Sequence, residues 1–527
     1  MNKFSELSRK KYFMPACITV ITCYFMYLSV RWILMQETDF YWLAGRTVSR
    51  ISYIVSCLFL ALLTAFIFAV KDRIKPEVLF LILYFFMEIM YMGVIPLSST
   101  PDETEHMLRS YGISQGDFVP ESTETGEGGS YVPANITYMW NRGGSTLKDM
   151  KDNLLMEADD NRVFLTYSNT ALYSPITYTP QAVGIFIGRL ICNKPYVWAY
   201  MGRFFNMMTV GILIFFAIKI TPVGKNIIFA LSMLPINMYE SASLSGGPLA
   251  YAVTVLIIAY TLWHKYVKDG KMNKRETACL YLILLFSASC KIVYVPFVLM
   301  AFIIPVERFE NKKKYAFHII CAAVMILLAS LGWVSISSRY LIEYTSGVDS
   351  FAQAKYVIMH PFMYMQTIVN TFMQVGEWII KTFFAAALGY FDVAGSYVMI
   401  VVSAVNLIYV CVNEKLNICV SGDKGEGDAG YFRLPAVMMA LAALISGLFV
   451  LTSEYVQWTP YMNPSIDGLQ GRYFLPLIFP LVLIVKKKTM KKSGDRQEDL
   501  YDPMPCSKLF ICFINLITIV TLFIHYA

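Results

Sequence analysis

Apolar runs of about 20 residues recur along nearly the whole 527-residue chain, at 12–35, 51–70, 78–97, 198–218, 227–242, 249–264, 278–304, 315–335, 397–412, 434–451, 474–485 and 509–525. A run of that length matches the hydrocarbon thickness of a bilayer. Backbone amides in hydrocarbon must be satisfied within their own segment, so such runs become helices. The sequence therefore predicts an all-α, polytopic transmembrane helical bundle. Only 15% of residues are charged and 57% are hydrophobic, whereas a soluble domain carries about a quarter charged residues. The first run is too long for a signal-peptide core and has no small-residue cleavage pattern behind it, so it reads as a start-transfer helix that stays.

Charge then sets the topology. The net charge of +7 does not point to nucleic acid, because the basic residues are segregated by side. Lys3, Arg9, Lys10 and Lys11 put the N-terminus inside, and "KKKTMKK" at 486–492 is the strongest inner loop. The loop at 98–175 is acidic, with 12 acidic against 5 basic residues, and falls outside. The charge rule holds if 180–191 is an outer juxtamembrane helix lying in the interface and 278–304 is a hairpin of two short helices with Lys291 near its tip. About 13 spans result, with an amphipathic outer segment at 338–394. The expected division is a two-span addition at 1–76, a membrane core at 77–485, a basic inner loop at 486–507 and a final span at 508–527. Of the eleven cysteines only Cys192 lies near the outer surface, so no disulfide framework is expected.

Three polar clusters face the outer side together: "PDETEH" at 101–106, "YESASLSGG" at 239–247 and "EYVQWTPYMNPSIDGLQGRYF" at 454–474. In the first, Pro101 fixes a turn at a helix exit and holds Asp102 and Glu103 near the lipid boundary. Adjacent carboxylates can divide labour, one as base and one as orienter or metal ligand. His106 shares a helical face with Glu103. The plainer alternative is an ordinary acidic outer loop. In the last cluster Gln470, Arg472 and Tyr473 sit at the outer start of a span, where an arginine grips phosphate or simply snorkels. Lys291 is a lone cation in an apolar run, which marks a functional path or a hairpin tip reaching water. Arg189 and Arg203 flank a short connection and serve either an anionic headgroup or helix anchoring. Glu88, inside the third run, has no sequence explanation beyond a proton-linked role or a pair with Lys291. No phosphate-cradling glycine loop, HExxH or CxxC occurs, which argues against an ATP-driven pump or an inner nucleotide-sugar enzyme.

In this order, "PDETEH", "YTPQAVGIFIGRL", "RFFN", "SASCKIVYVP", "HPFMYM" and "QGRYFLPL" resemble the bacterial membrane-protein family named domain of unknown function 2142. That family looks like part of the wider group of type C glycosyltransferases. The resemblance implies a GT-C-like core, a polyprenyl-phosphate sugar as donor, Asp102 as base, Glu103 as its partner, and Lys291 and Arg472 as phosphate contacts. Two departures stand out. Two spans, rather than one, precede the span that leads into the acidic motif, and Gly247 occupies the place of an expected second acid.

Together these point to an enzyme of the bacterial cytoplasmic membrane, active on the extracytoplasmic face, that moves a sugar from a polyprenyl-phosphate donor to a cell-envelope glycan or polymer. Its catalytic residues would be Asp102 and Glu103. His106, Arg189, Arg203, Lys291, Gln470, Arg472 and Tyr473 would bind the substrate and its lipid phosphate. The cofactor stays open; a divalent cation held by Asp102, Glu103 and His106 is one option. The expected partners are the lipid-linked sugar, the envelope acceptor and the bilayer, with no nucleic acid. The rival functions are a transporter or flippase for a lipid-linked intermediate and a non-catalytic envelope-assembly protein.

Overall fold

The structure, a computed structural model, describes residues 20 and 24 and residues 44–527, except 72, 140–144, 343–345, 415, 421–431, 487 and 493–503. The run at 12–35 lies almost wholly outside the described residues, as does the glycine-rich loop at 421–430. Six described helices are long and apolar enough to cross a membrane: Pro76–Val94, Pro195–Ile220, Gly247–Tyr266, Lys312–Tyr340, Arg433–Gln457 and Pro505–Tyr526. Shorter apolar segments at Ile54–Val70, Ile292–Ile303, Tyr397–Asn413 and Gly471–Val485 complete the bundle. The protein is an all-α polytopic membrane protein, as the apolar runs predict.

One predicted span has a different form. The run at 227–242 is two short helices, Lys225–Ser232 and Pro235–Ser241. Pro235 has no N–H to donate and its ring clashes with the carbonyl four residues back, so one continuous helix cannot form. The Asn237 side-chain amide donates to the Leu231 carbonyl at 2.8 Å, which satisfies an acceptor freed by the break. The whole crossing is buried, and it delivers Asn237 and Glu240 to the loop end of the bundle.

The hairpin at 278–304 forms as expected. Helix Lys274–Cys290 leads to an extended Lys291 (φ −147°, ψ 123°), and the 3₁₀ helix Ile292–Ile303 returns. Its two feet meet where the Met272 amide donates to the Arg308 carbonyl at 2.7 Å. At the tip, Thr177 Oγ1 donates to the Cys290 carbonyl at 2.8 Å and holds the turn in place.

Helix Thr179–Ile191 lies outside the long spans, but it does not lie across them. It runs antiparallel against the first half of Pro195–Ile220. Glycines set the distance: a Cβ at Gly184 would come 2.3 Å from the Met201 carbonyl oxygen, and one at Gly202 would strike Leu244 and Ile185. Small residues at such contacts let helices approach where lipid offers no hydrophobic drive. The C-terminal helix Pro505–Tyr526, which the sequence suggests is a separate last span, is deep in the bundle. Its Asn515 accepts from the Tyr91 hydroxyl at 2.9 Å and donates to the Met233 carbonyl at 3.0 Å.

The acidic loop at 98–175 is more than a polar connection. A three-stranded antiparallel sheet (Glu121–Ser122, Gly128–Pro133 and Arg162–Thr166) packs over helix Glu103–Gln115. Together they enclose a small core that includes Met107, Leu108, Val132, Tyr167 and Tyr340. This cap fixes the start of helix Glu103–Gln115, and with it Asp102.

Candidate functional site

A cavity of about 520 Å³ opens at the loop end of the bundle. Its size suits a small organic ligand. Its wall brings together Asp102, His106, Lys291, Gln470, Arg472 and Tyr473, which are spread over 372 positions of sequence (102 to 473).

Asp102 caps helix Glu103–Gln115 in the left-handed conformation (φ 59°, ψ 12°), yet its side chain makes no capping hydrogen bond to that helix. The left-handed region costs an L-residue about 1–2 kcal/mol, with Asp and Asn the most tolerant after glycine. The backbone is thus held at some cost in a shape that directs this carboxylate to the cavity rather than to its own helix.

Glu103, the next residue, is turned the other way. It is fully buried and pairs with Arg203 through two hydrogen bonds of 2.7 Å. Arg203 also donates to the Ile95 and Pro96 carbonyls at 2.7 and 3.0 Å. The Ser98 and Leu244 amides donate to Glu103 at 3.0 and 3.2 Å. Neither residue lines the cavity, and the pair ties three chain segments together. Arg189 is also elsewhere: it donates to Ser114 and lies 5.1 Å over the Tyr111 ring, against the cap formed by the 98–175 loop.

His106 lies one turn beyond Asp102 and places Nδ1 2.7 Å from the Tyr178 hydroxyl. Burial first, then the positive charges of Lys291 and Arg472, push its imidazole down to about 3. It is therefore neutral at physiological pH. Burial also raises the Tyr178 phenol well above its ordinary value, so that group keeps its proton.

The cations come from two further features that break regular helix. Lys291, at the hairpin tip, lies with its ammonium 5.5 Å over Tyr173 and 5.2 Å over Tyr473. Arg472 sits in the turn Gly471–Phe474, whose backbone is pressed against helix Pro361–Phe383. A Cβ at Gly471 would fall 2.0 Å from the Ile379 carbonyl oxygen, and the Gly471 amide donates to Thr382 Oγ1 at 2.7 Å. Only glycine permits that approach. Gln470 contributes a buried Oε1 with no hydrogen-bond partner among the described residues.

Two carboxylates of the wall are not evident from sequence. Glu240, on helix Pro235–Ser241, forms an ion pair with Arg472. Glu454, near the end of helix Arg433–Gln457, faces the same space. Both fall in clusters that sequence marks as polar, but nothing in the spacing pairs position 240 with position 472. Glu240 also answers for the missing acid at 247. A Cβ on Gly247 would stand 3.8 Å from Glu240 Oε2, so a carboxylate lies beside that corner.

The donor set does not suit a metal ion. Among the described residues no three His, Cys, Asp or Glu side chains converge closely enough to hold one. Glu103, the middle member of the set Asp102, Glu103 and His106, spends its oxygens on Arg203 and two backbone amides. What the arrangement offers is a carboxylate, Asp102, and two cations, Lys291 and Arg472, in one cavity whose lining also includes Trp333, Phe391 and Trp458.

Residues 85–481 match the family model described as "Predicted membrane protein (DUF2142)". The match covers well over half of the chain, so the chain belongs to that family. No curated protein and no solved structure matches it.

Proposed function

We propose that this member of the DUF2142 family is an extracytoplasmic glycosyltransferase that moves a sugar from a polyprenyl-phosphate donor to a cell-envelope glycan or polymer. One observation carries the reading: Asp102, Lys291 and Arg472, from three distant parts of the chain, line one cavity. The reaction needs those groups. Asp102 takes the proton from the acceptor hydroxyl as its oxygen attacks the anomeric carbon. The bond from that carbon to the phosphate oxygen breaks, and its electron pair leaves with the phosphate. Lys291 and Arg472 stabilise the charge that develops there. Phosphate leaves readily without a proton, so no general acid is required, and attack from the opposite face inverts the anomeric centre. The Gln470 side-chain oxygen is a ready acceptor for a sugar hydroxyl.

The test is Asp102→Asn in membrane vesicles supplied with a lipid-linked sugar. Sugar transfer is abolished while the protein is present at its normal level; full activity in that variant removes the assignment.

A second reading, transport of a lipid-linked intermediate, is favoured by the proline-broken crossing at 225–241 and by Glu88, buried at membrane depth. In that case the lipid-linked sugar crosses the vesicle membrane with its glycosidic bond intact, and no sugar appears on an acceptor.

A further inference from the structure

Arg472 and Glu240 hold one another in the cavity wall although 232 residues separate them. Both residues line the cavity, although their side chains are only 14% and 8% exposed. The wall carries three carboxylates, Asp102, Glu240 and Glu454, against two cations, Lys291 and Arg472. A phosphate that approaches Arg472 therefore meets Glu240 as a rival of like charge, and the guanidinium is already occupied by that carboxylate. Phosphate and carboxylate compete for the same planar fork of donors.

Glu240 also has a place to move to. Its Oε2 lies toward the start of helix Gly247–Tyr266, where a Cβ on Gly247 would meet only Ser245 Oγ at 3.4 Å and Glu240 Oε2 itself at 3.8 Å. The missing side chain leaves room there for about one carbon atom at ordinary contact distance, and the first turn of a helix favours a negative charge.

We propose that Glu240 holds the anion position on Arg472 until a substrate phosphate displaces it toward Gly247, so that Glu240 sets how tightly the site takes phosphate. This rests on the reading of the cavity as a phosphate site given above. The exchange leaves the phosphate on the arginine fork and the carboxylate at the helix start. The glycine at 247, which looks in the sequence like a lost ligand, is the room this exchange needs.

The test measures binding of farnesyl monophosphate, inorganic phosphate and farnesol to the purified full-length protein in detergent, by calorimetric titration. Glu240→Gln and Glu240→Ala each bind both phosphates about tenfold tighter than wild type, with farnesol unchanged. Gly247→Val weakens phosphate binding when Glu240 is present and has no effect in the Glu240→Ala background. Equal or weaker phosphate binding by the Glu240 variants, with wild-type binding intact, overturns the exchange and leaves the phosphate site standing. A gain for farnesol as large as for its phosphate also overturns it. If neither wild type nor any variant binds a phosphate, the phosphate site falls and the exchange with it.

Discussion

Glu103 and Arg203, one hundred residues apart, meet through two hydrogen bonds of 2.7 Å and are both sealed from solvent. Asp102, immediately before Glu103, lines the open cavity. Two neighbouring acids of one motif thus have different surroundings, one holding the fold and one lining the cavity. Removing one member of a buried pair leaves the other as an uncompensated charge, at a cost of about 3–5 kcal/mol. Glu103→Ala and Arg203→Ala are each expected to lower the thermal unfolding temperature in detergent strongly. Asp102→Asn keeps a side chain that tolerates the left-handed backbone and should unfold near the wild-type temperature while losing sugar transfer. Equal destabilisation by all three substitutions would contradict this division.

The two cations of the cavity differ in kind. Arg472 offers a fork of donors to a planar or tetrahedral anion, whereas Lys291 is a point charge held between two tyrosine rings. Arg472→Lys keeps the charge but loses the fork, and it should reduce kcat by roughly 10²–10³, the usual effect of losing one donor to developing charge. Lys291→Met removes the charge and should reduce kcat by a similar factor. The two effects are expected to be less than additive in the double variant, because both act on one phosphate. Full additivity would mean that the residues serve separate groups.

His106 provides a pH signature. Its folded-state imidazole is pushed down to about 3 by burial and by Lys291 and Arg472, while an unfolded histidine titrates near 6.5. Between those values the unfolded chain binds a proton that the folded chain does not. Stability is therefore lost as pH falls from about 6.5 toward 3, and it rises again with pH. His106→Gln removes this term. Wild type and variant are to be compared by thermal unfolding at pH 7.5 and pH 5: the variant should gain on wild type at the lower pH, and a constant gap would show that His106 is not held neutral. The acidic limb of the pH–activity profile should be the same in both, since His106 does not titrate there.

Much of this arrangement was legible from one-dimensional signals. Apolar length marks the spans, and basic clusters place the hairpin that carries Lys291 to its tip. What escaped are relationships that no local pattern encodes. Asp102 and Glu103 look equivalent because they are adjacent. Consecutive residues at a helix start point in different directions, and the left-handed backbone at 102, ahead of the helix proper, sets which way Asp102 turns. Arg203 reads as a helix anchor until Glu103 is seen against it. Glu240 is one acid in a small polar stretch, and its tie to Arg472 is a product of packing across the bundle. The break at Pro235 was visible as a residue, but apolar content on both sides masks it in a count of hydrophobic length.

Glu88 decides between the two functional readings. It lies in the middle of helix Pro76–Val94 and is fully buried, and neither carboxyl oxygen has a hydrogen bond of good geometry among the described residues, although the Tyr84 hydroxyl, one turn before it, is near. A buried polar group without a partner costs a fold about 1–3 kcal/mol, so such a residue is retained for a use or is a tolerated burden. Glu88→Met fills similar volume without the polar atoms. If the cavity at Asp102 is the site of chemistry, this variant should unfold at a higher temperature than wild type and transfer sugar at the wild-type rate. A proton-coupled transporter would instead keep the gain in stability and lose its activity. Measuring unfolding, sugar transfer and movement of the lipid-linked sugar across the vesicle membrane on one preparation separates the two outcomes, because a loss of both stability and activity would report a packing defect at position 88 and contradict the expected gain.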